Sequence, residues 1–212
     1  MIDRSFDTRL TRLGVVPIVT LPDERVAVPL ARALLDGGLA GAEVTLRTPA
    51  ALRGLAAIRE AFPDILLGAG TVLDQAQVSE AVAAGADFIV APGTNPDIIN
   101  TCQERGVAIL PGVATPSEID LARRLGVRTL KFFPAEPLGG ARTLRVICGP
   151  FQDVSFVPTG SIVPALLPDY FALPQVRACG GSWMVSQEIL AARDFDRVRA
   201  LATEARAIVD AR

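Results

Sequence analysis

Histidine is absent from the 212-residue sequence and lysine nearly so: of 21 basic side chains one is lysine, Lys131, and the rest are arginine. Without histidine, neither Ser-His-Asp nor Cys-His machinery is available. A zinc site would need isolated cysteines and carboxylates, an unusual donor set. Proton transfer near neutral pH then falls to carboxylates, a perturbed lysine or water. Cysteine is scarce too: Cys102, Cys148 and Cys179 are odd in number and form no CxxC, which points to a reduced, cytoplasmic setting. A basic excess is lacking, with net charge -2 and pI near 5.3, so no nucleic-acid partner is expected. Arg123 and Arg124 are the only adjacent basic pair. No run reaches the roughly 18 apolar residues of a membrane span. The opening MIDRSFDTRLTRLG mixes acids and bases without the apolar centre of a signal peptide, so no membrane partner is expected.

What is present is ample apolar material, 50% of residues, arranged in short recurring runs. These are VVPIV (15–19), AEVTLR (42–47), ILLGAGTV (65–72), FIVAPG (88–93), AILPGV (108–113), TLKFFPA (129–135), VSFVPTG (154–160) and VRACGG (176–181). Each is rich in Val, Ile or other apolar residues and closed by Gly, Pro or Thr, the signature of a strand. Helix-like stretches lie between most of them. DERVAVPLARALLDG places Val26, Leu30, Ala33 and Leu34 on one face, and the C-terminal stretch does the same with Val198, Leu201, Ala205 and Ile208. Thr48-Pro49 and Thr115-Pro116 each read as an N-cap followed by proline at the first helical position. Gly85, Gly106 and Gly126 fall where helices should end in a left-handed residue. Eight strands alternating with helices in about 200 residues predict an α/β protein, a (β/α)8 TIM barrel. It is expected to form a single domain over 1–212, with an N-terminal helix. An open doubly wound sheet is the alternative, but the first strand runs into TLPDER and not into a Gly-rich phosphate turn.

Alternation along the strands singles out a few side chains. AEVTLR puts Glu43, Thr45 and Arg47 on one face, and TLKFFPA puts Thr129, Lys131 and Phe133 on one face. Polar faces do not pack on apolar helices, so both should turn into the barrel. Burial disfavours the ammonium form of a lysine, and the neutral amine is the form that adds to a carbonyl to make a Schiff base. Arginine stays protonated and cannot substitute for it. The plainer alternative is a structural Lys131–Glu43 ion pair, or a lysine that snorkels to the rim. Glu43 is the natural proton carrier, unless it pairs with Arg47. Arg47 offers a fork suited to a substrate carboxylate, although most arginines make surface salt bridges. Thr71, closing GAGT, can donate to the same carboxylate or merely end a strand. Gly160 and Ser161 after the seventh strand, with Gly181 and Ser182 after the eighth, sit where such barrels bind phosphate. Gly139 and Gly140 form another pair, with no chemistry attached.

EVTLRT, GAGTV, KFFPAE and GGSW, in this order and spacing, resemble the bacterial 2-keto-3-deoxy-6-phosphogluconate (KDPG) aldolases, some of which also cleave 4-hydroxy-2-oxoglutarate. The resemblance runs from about residue 14 into the C-terminal helix. It implies a class I, metal-free and cofactor-free aldolase, usually a homotrimer, acting on a small phosphorylated 2-keto acid. In that light Lys131 is the Schiff-base lysine and Glu43 the acid/base. Arg47 and Thr71 become pyruvate-carboxylate contacts, and Pro92, Phe133 and Thr159 line the pocket. Gly160, Ser161, Gly181 and Ser182 become the phosphate grip. Two positions depart from the pattern: Ser161 stands where the family generally has a second glycine, and Thr20 where some relatives carry arginine. A phosphosugar epimerase or isomerase and a non-catalytic phosphosugar-binding relative are the competing classes.

Overall fold

The computed structural model describes residues 4–212. It is an α/β protein built on a curled parallel sheet. Strands are β1 (Val15–Val19), β2 (Gly41–Thr45), β3 (Leu66–Gly70), β4 (Phe88–Val90), β5 (Ala108–Leu110), β6 (Gly112–Val113), β7 (Thr129–Phe132), β8 (Ser155–Pro158) and β9 (Cys179–Gly181). Helices are α1 (Arg4–Leu13), α2 (Ala27–Asp36), α3 (Ala51–Ala61), α4 (Gln75–Ala83), α5 (Pro96–Glu104), α6 (Pro116–Arg124), α7 (Gly140–Cys148), α8 (Leu167–Phe171), α9 (Gln187–Ala192) and α10 (Phe195–Asp210). One sheet has the order β5-β4-β3-β2-β1-β9 and the other β6-β7-β8. The last strand thus returns to pair with the first, without the order reversal of a doubly wound sheet. Parallel bridges Phe156–Val176 and Thr159–Gly180 lie between the end of the second sheet and the β9 side of the first.

The fifth predicted strand, 108–113, is two strands, because Pro111 brings no N–H to the ladder. Its carbonyl still accepts from Lys131 N–H at 2.9 Å, so the chain itself carries the first sheet into the second. Strands β2 and β3 are buried along their whole length, as expected of parallel strands covered on both faces.

The helices form where the apolar period places them. Val26, Leu30, Ala33 and Leu34 are all buried, as are Val198, Leu201 and Ala205, with Ile208 partly so. Gly85, Gly106 and Gly126 adopt φ of 94°, 67° and 82° just past their helices, a region that penalises any Cβ. The two Thr-Pro starts diverge. Thr115 caps α6 in a capping box with Glu118. Thr48 does not cap: its hydroxyl donates to Leu21 C=O at 2.8 Å, and α3 begins after Ala50.

Helix α1 meets the amino-terminal ends of the strands. Phe6 packs on Phe88 with ring centroids 5.3 Å apart, and Asp7 Oδ1 accepts from Thr129 Oγ1 at 2.9 Å. Full burial of an aromatic such as Phe88 contributes about 2–3 kcal/mol. The Arg123–Arg124 pair is matched by Asp153 and Asp120. Among the described residues, no helix is long and apolar enough to cross a membrane.

Candidate active site

Glu43 lies on β2 in the first sheet and Lys131 on β7 in the second, yet Lys131 Nζ sits 3.5 Å from Glu43 Oε1. Side chains from two separate sheets meet only across the concave side of a curled sheet. Both are buried, with side-chain exposures of 9% and 5%. An amine and a carboxylate so placed exchange electrostatic support in a medium that screens poorly, and a closer approach of a few tenths of an ångström brings a proton on one within reach of the other. Lys131 Nζ also stands 5.2 Å from the centroid of the half-buried Phe133 ring. At the other end of the strand face, Thr129 is tied down by Asp7, so β7 and the residue that follows it present a polar anchor, the amine and an aromatic ring in successive alternate positions.

Room for the carboxyl group comes from β3. A Cβ on Gly70 would lie 2.1 Å from Glu43 Oε1, and one on Gly68 would lie 2.3 Å from the Phe88 ring. The alternate glycines of GAG therefore empty one face of the strand, for the acid above and the aromatic below. Their spacing of two, on the strand paired with Glu43, is the signal that identifies them from sequence.

Arg47 is exposed beyond the end of β2, and its Nε donates to Thr71 Oγ1 at 2.9 Å. Glu43 therefore pairs with Lys131, and Arg47 with Thr71. Thr71 has φ of 59°, a conformation seldom adopted by a β-branched residue. Thr45, inward on the same face as Glu43, donates to Val19 C=O at 3.1 Å and touches Thr20 Oγ1 at 2.8 Å. Gln187 Nε2 holds the Thr20 carbonyl at 2.7 Å. Pro92 is exposed after β4, on a hollow of about 180 Å³ shared with Val72, Leu73 and Ile98.

The phosphate candidates occupy two neighbouring turns. Thr159 is buried and bridges to Gly180, where an added Cβ would lie 2.4 Å from the threonine Oγ1. Gly160 has φ of 115°, and the exposed Ser161 has φ of 59°, so a serine side chain is carried on left-handed backbone. That conformation costs about 1–2 kcal/mol for an L-residue. Gly181 lies under the Trp183 ring, 1.8 Å from where its Cβ would be, and Ser182 is exposed just before the 3₁₀ turn Trp183–Val185. Among the described residues no three or more Cys, Asp or Glu side chains gather as a metal cluster.

A buried amine beside a carboxylate, inside a curled parallel α/β sheet, is the equipment of Schiff-base carbonyl chemistry. Residues 6–201 match the model of the KDPG and KHG aldolase family, and the chain belongs to that family. It is 49% identical to the 2-dehydro-3-deoxy-phosphogluconate aldolase of Treponema pallidum, over 94% of this chain and 95% of that one. It resembles the KDPG aldolase of Zymomonas mobilis solved with 3-phosphoglycerate, with TM-score 0.91, 38% identity and coverage of 97% and 96%. The Legionella pneumophila KDPG aldolase, solved with pyruvate captured at low pH as a covalent carbinolamine intermediate, matches with TM-score 0.91, 36% identity and coverage of 94% and 97%.

Proposed function

We propose that this protein is a class I, metal-independent aldolase that cleaves 2-keto-3-deoxy-6-phosphogluconate to pyruvate and glyceraldehyde 3-phosphate. The observation that carries this reading is the buried Lys131–Glu43 contact at 3.5 Å in a chain with no other lysine. The Lys131 amine adds to the C2 ketone, giving a carbinolamine. Glu43, acting through a water, moves the protons that let hydroxide leave as water, and an iminium forms. The Glu43 carboxylate then takes the C4 hydroxyl proton. The C3–C4 bonding pair flows into the iminium, which becomes an enamine as glyceraldehyde 3-phosphate departs. Protonation of the enamine at C3 and addition of water release pyruvate and restore the amine. No redox partner enters, and the atoms balance as a retro-aldol cleavage.

Arg47 and Thr71, already joined, hold the substrate carboxylate so that the ketone stays near the amine. Phe133, Pro92 and Thr159 line the pocket. The turns carrying Gly160, Ser161, Gly181 and Ser182 take the distal phosphate, whose binding energy supports orientation at the reacting carbon. The Zymomonas relative's structure with 3-phosphoglycerate supports a phosphorylated ligand. The family's second substrate, 4-hydroxy-2-oxoglutarate, gives pyruvate and glyoxylate by the same steps. The reading includes a closed (β/α)8 barrel forming one domain, a cytoplasmic location and a homotrimer.

The test is pyruvate release from 2-keto-3-deoxy-6-phosphogluconate, followed by NADH consumption with lactate dehydrogenase in the presence of a chelator. Turnover that persists without metal is expected. Tight substrate binding without pyruvate release would favour a binding protein, and isomerised product without cleavage would favour an isomerase.

A further inference from the structure

The Gly139-Gly140 pair, which the chemistry leaves unused, leads to a clamp behind the proposed phosphate turns. Gly140 has φ of 62°, and a Cβ there would lie 2.8 Å from Glu136 Oε1. The glycine makes space for that carboxylate. Glu136 Oε1 accepts a hydrogen bond from Tyr170 OH, and Tyr170 is 1% exposed on α8. Burial, followed by this hydrogen bond, raises the Tyr170 pKa, so the phenol keeps its proton and remains a donor. The backbone beside Glu136 is sewn to the loop after β8: Ala135 N–H donates to Thr159 C=O at 2.8 Å, and Glu136 N–H to Gly160 C=O at 3.2 Å. The two loops approach so closely that a Cβ on Gly160 would lie 3.1 Å from Ala135 N.

We propose that Glu136 and Tyr170 are positioning residues for the distal, phosphate-bearing end of the substrate: their hydrogen bond fixes loop 159–161 against the segment that follows Lys131. This rests on the aldolase reading above. Neither side chain is required to touch substrate. Loop 159–161 carries a non-glycine residue in left-handed conformation, and such backbone persists only where its surroundings hold it. Ordering a free residue costs backbone entropy, so a loop held in place beforehand binds its ligand more tightly. The clamp lies behind the phosphate turns and leaves the Lys131–Glu43 contact alone, so its loss should separate the two ends of the substrate.

The experiment uses the full chain with Tyr170→Phe, which removes one hydroxyl and keeps the buried ring. KM and kcat for 2-keto-3-deoxy-6-phosphogluconate are measured beside the rate at which pyruvate and borohydride trap Lys131. The expected result is a roughly five- to tenfold rise in KM for the phosphorylated substrate, as for the loss of one hydrogen bond of ordinary strength, with trapping unchanged. Glu136→Ala should match it. Glu136→Gln, which keeps an acceptor oxygen, should restore most of the affinity. Equal losses in trapping and KM, or no change in either, would overturn the clamp. The wild-type protein separates the two claims: failure to trap pyruvate at all would refute the aldolase reading itself, whereas normal trapping with an unaltered Tyr170→Phe KM would refute only the clamp.

Discussion

The two ends of the candidate site are built from different material. At the amine end, Lys131 and Glu43 stand on strands, are buried, and point where the pleat sends them. At the distal end, Ser161 and Ser182 are exposed on turns, with Ser161 itself at φ of 59° next to Gly160 at 115°. Regular structure thus holds the groups proposed for bond making, and irregular structure holds those proposed for substrate choice. A strand position is fixed by its neighbours on both sides, so chemistry placed there is hard to alter in small steps. A turn is fixed by a few local hydrogen bonds, so a change such as glycine to Ser161 alters one end of the ligand and leaves the other intact.

The sharpest way to break this comparison is Lys131→Arg, which keeps the positive charge and removes the nucleophile. Pyruvate release should become undetectable in the coupled assay, while a folded melting curve is retained. Glu43→Gln keeps the shape and removes the base; a fall in kcat of about 10²- to 10⁴-fold is expected, read by steady-state kinetics. Retention of full turnover would remove Glu43 from its role. Gly70→Ala places a methyl group against the Glu43 carboxyl and should lower kcat by about 10- to 100-fold through displacement alone. Ser161→Gly works at the other end: relief of the left-handed serine should raise stability by about 1 kcal/mol in urea unfolding, with the pyruvate-trapping rate unchanged. The smallest effects belong to the cysteines. Burial pushes the Cys102 thiol up to about 12 and Cys148 to about 11, from 9.0. Both should resist Ellman's reagent at pH 8 and react after unfolding. Because the folded state retains these protons longer than the unfolded chain, their contribution is intact below pH 9. It should fade as pH rises through about 11, lowering the melting temperature.

Much of this architecture was legible because it depends on local period. Alternation in AEVTLR and TLKFFPA selects Glu43 and Lys131 for one side of their strands, and the two do meet. What escaped depends on partners distant in sequence. Thr48 and Thr115 look alike in their Thr-Pro settings. Only Thr115 is followed by an acid three residues on, Glu118, where Thr48 is followed by Ala51, and the Leu21 carbonyl takes the unused hydroxyl. Pro111 divides a strand that its apolar neighbours made look continuous. The Glu136–Tyr170 bond joins residues 34 apart through a gap left by Gly140, and no local pattern marks it. Thr20, notable in sequence only as a departure, joins Thr45 and Gln187 in a network at the rim.

The central claim, that Lys131 is an amine nucleophile, is tested most directly by intact mass after incubation with pyruvate and borohydride, followed by peptide mapping. With one lysine in the chain, the N-terminus is the only other primary amine. The account predicts one reduced pyruvate adduct per chain, on Lys131 and absent from Lys131→Arg. Folded protein without an adduct, or with an adduct confined to the N-terminus, would contradict it.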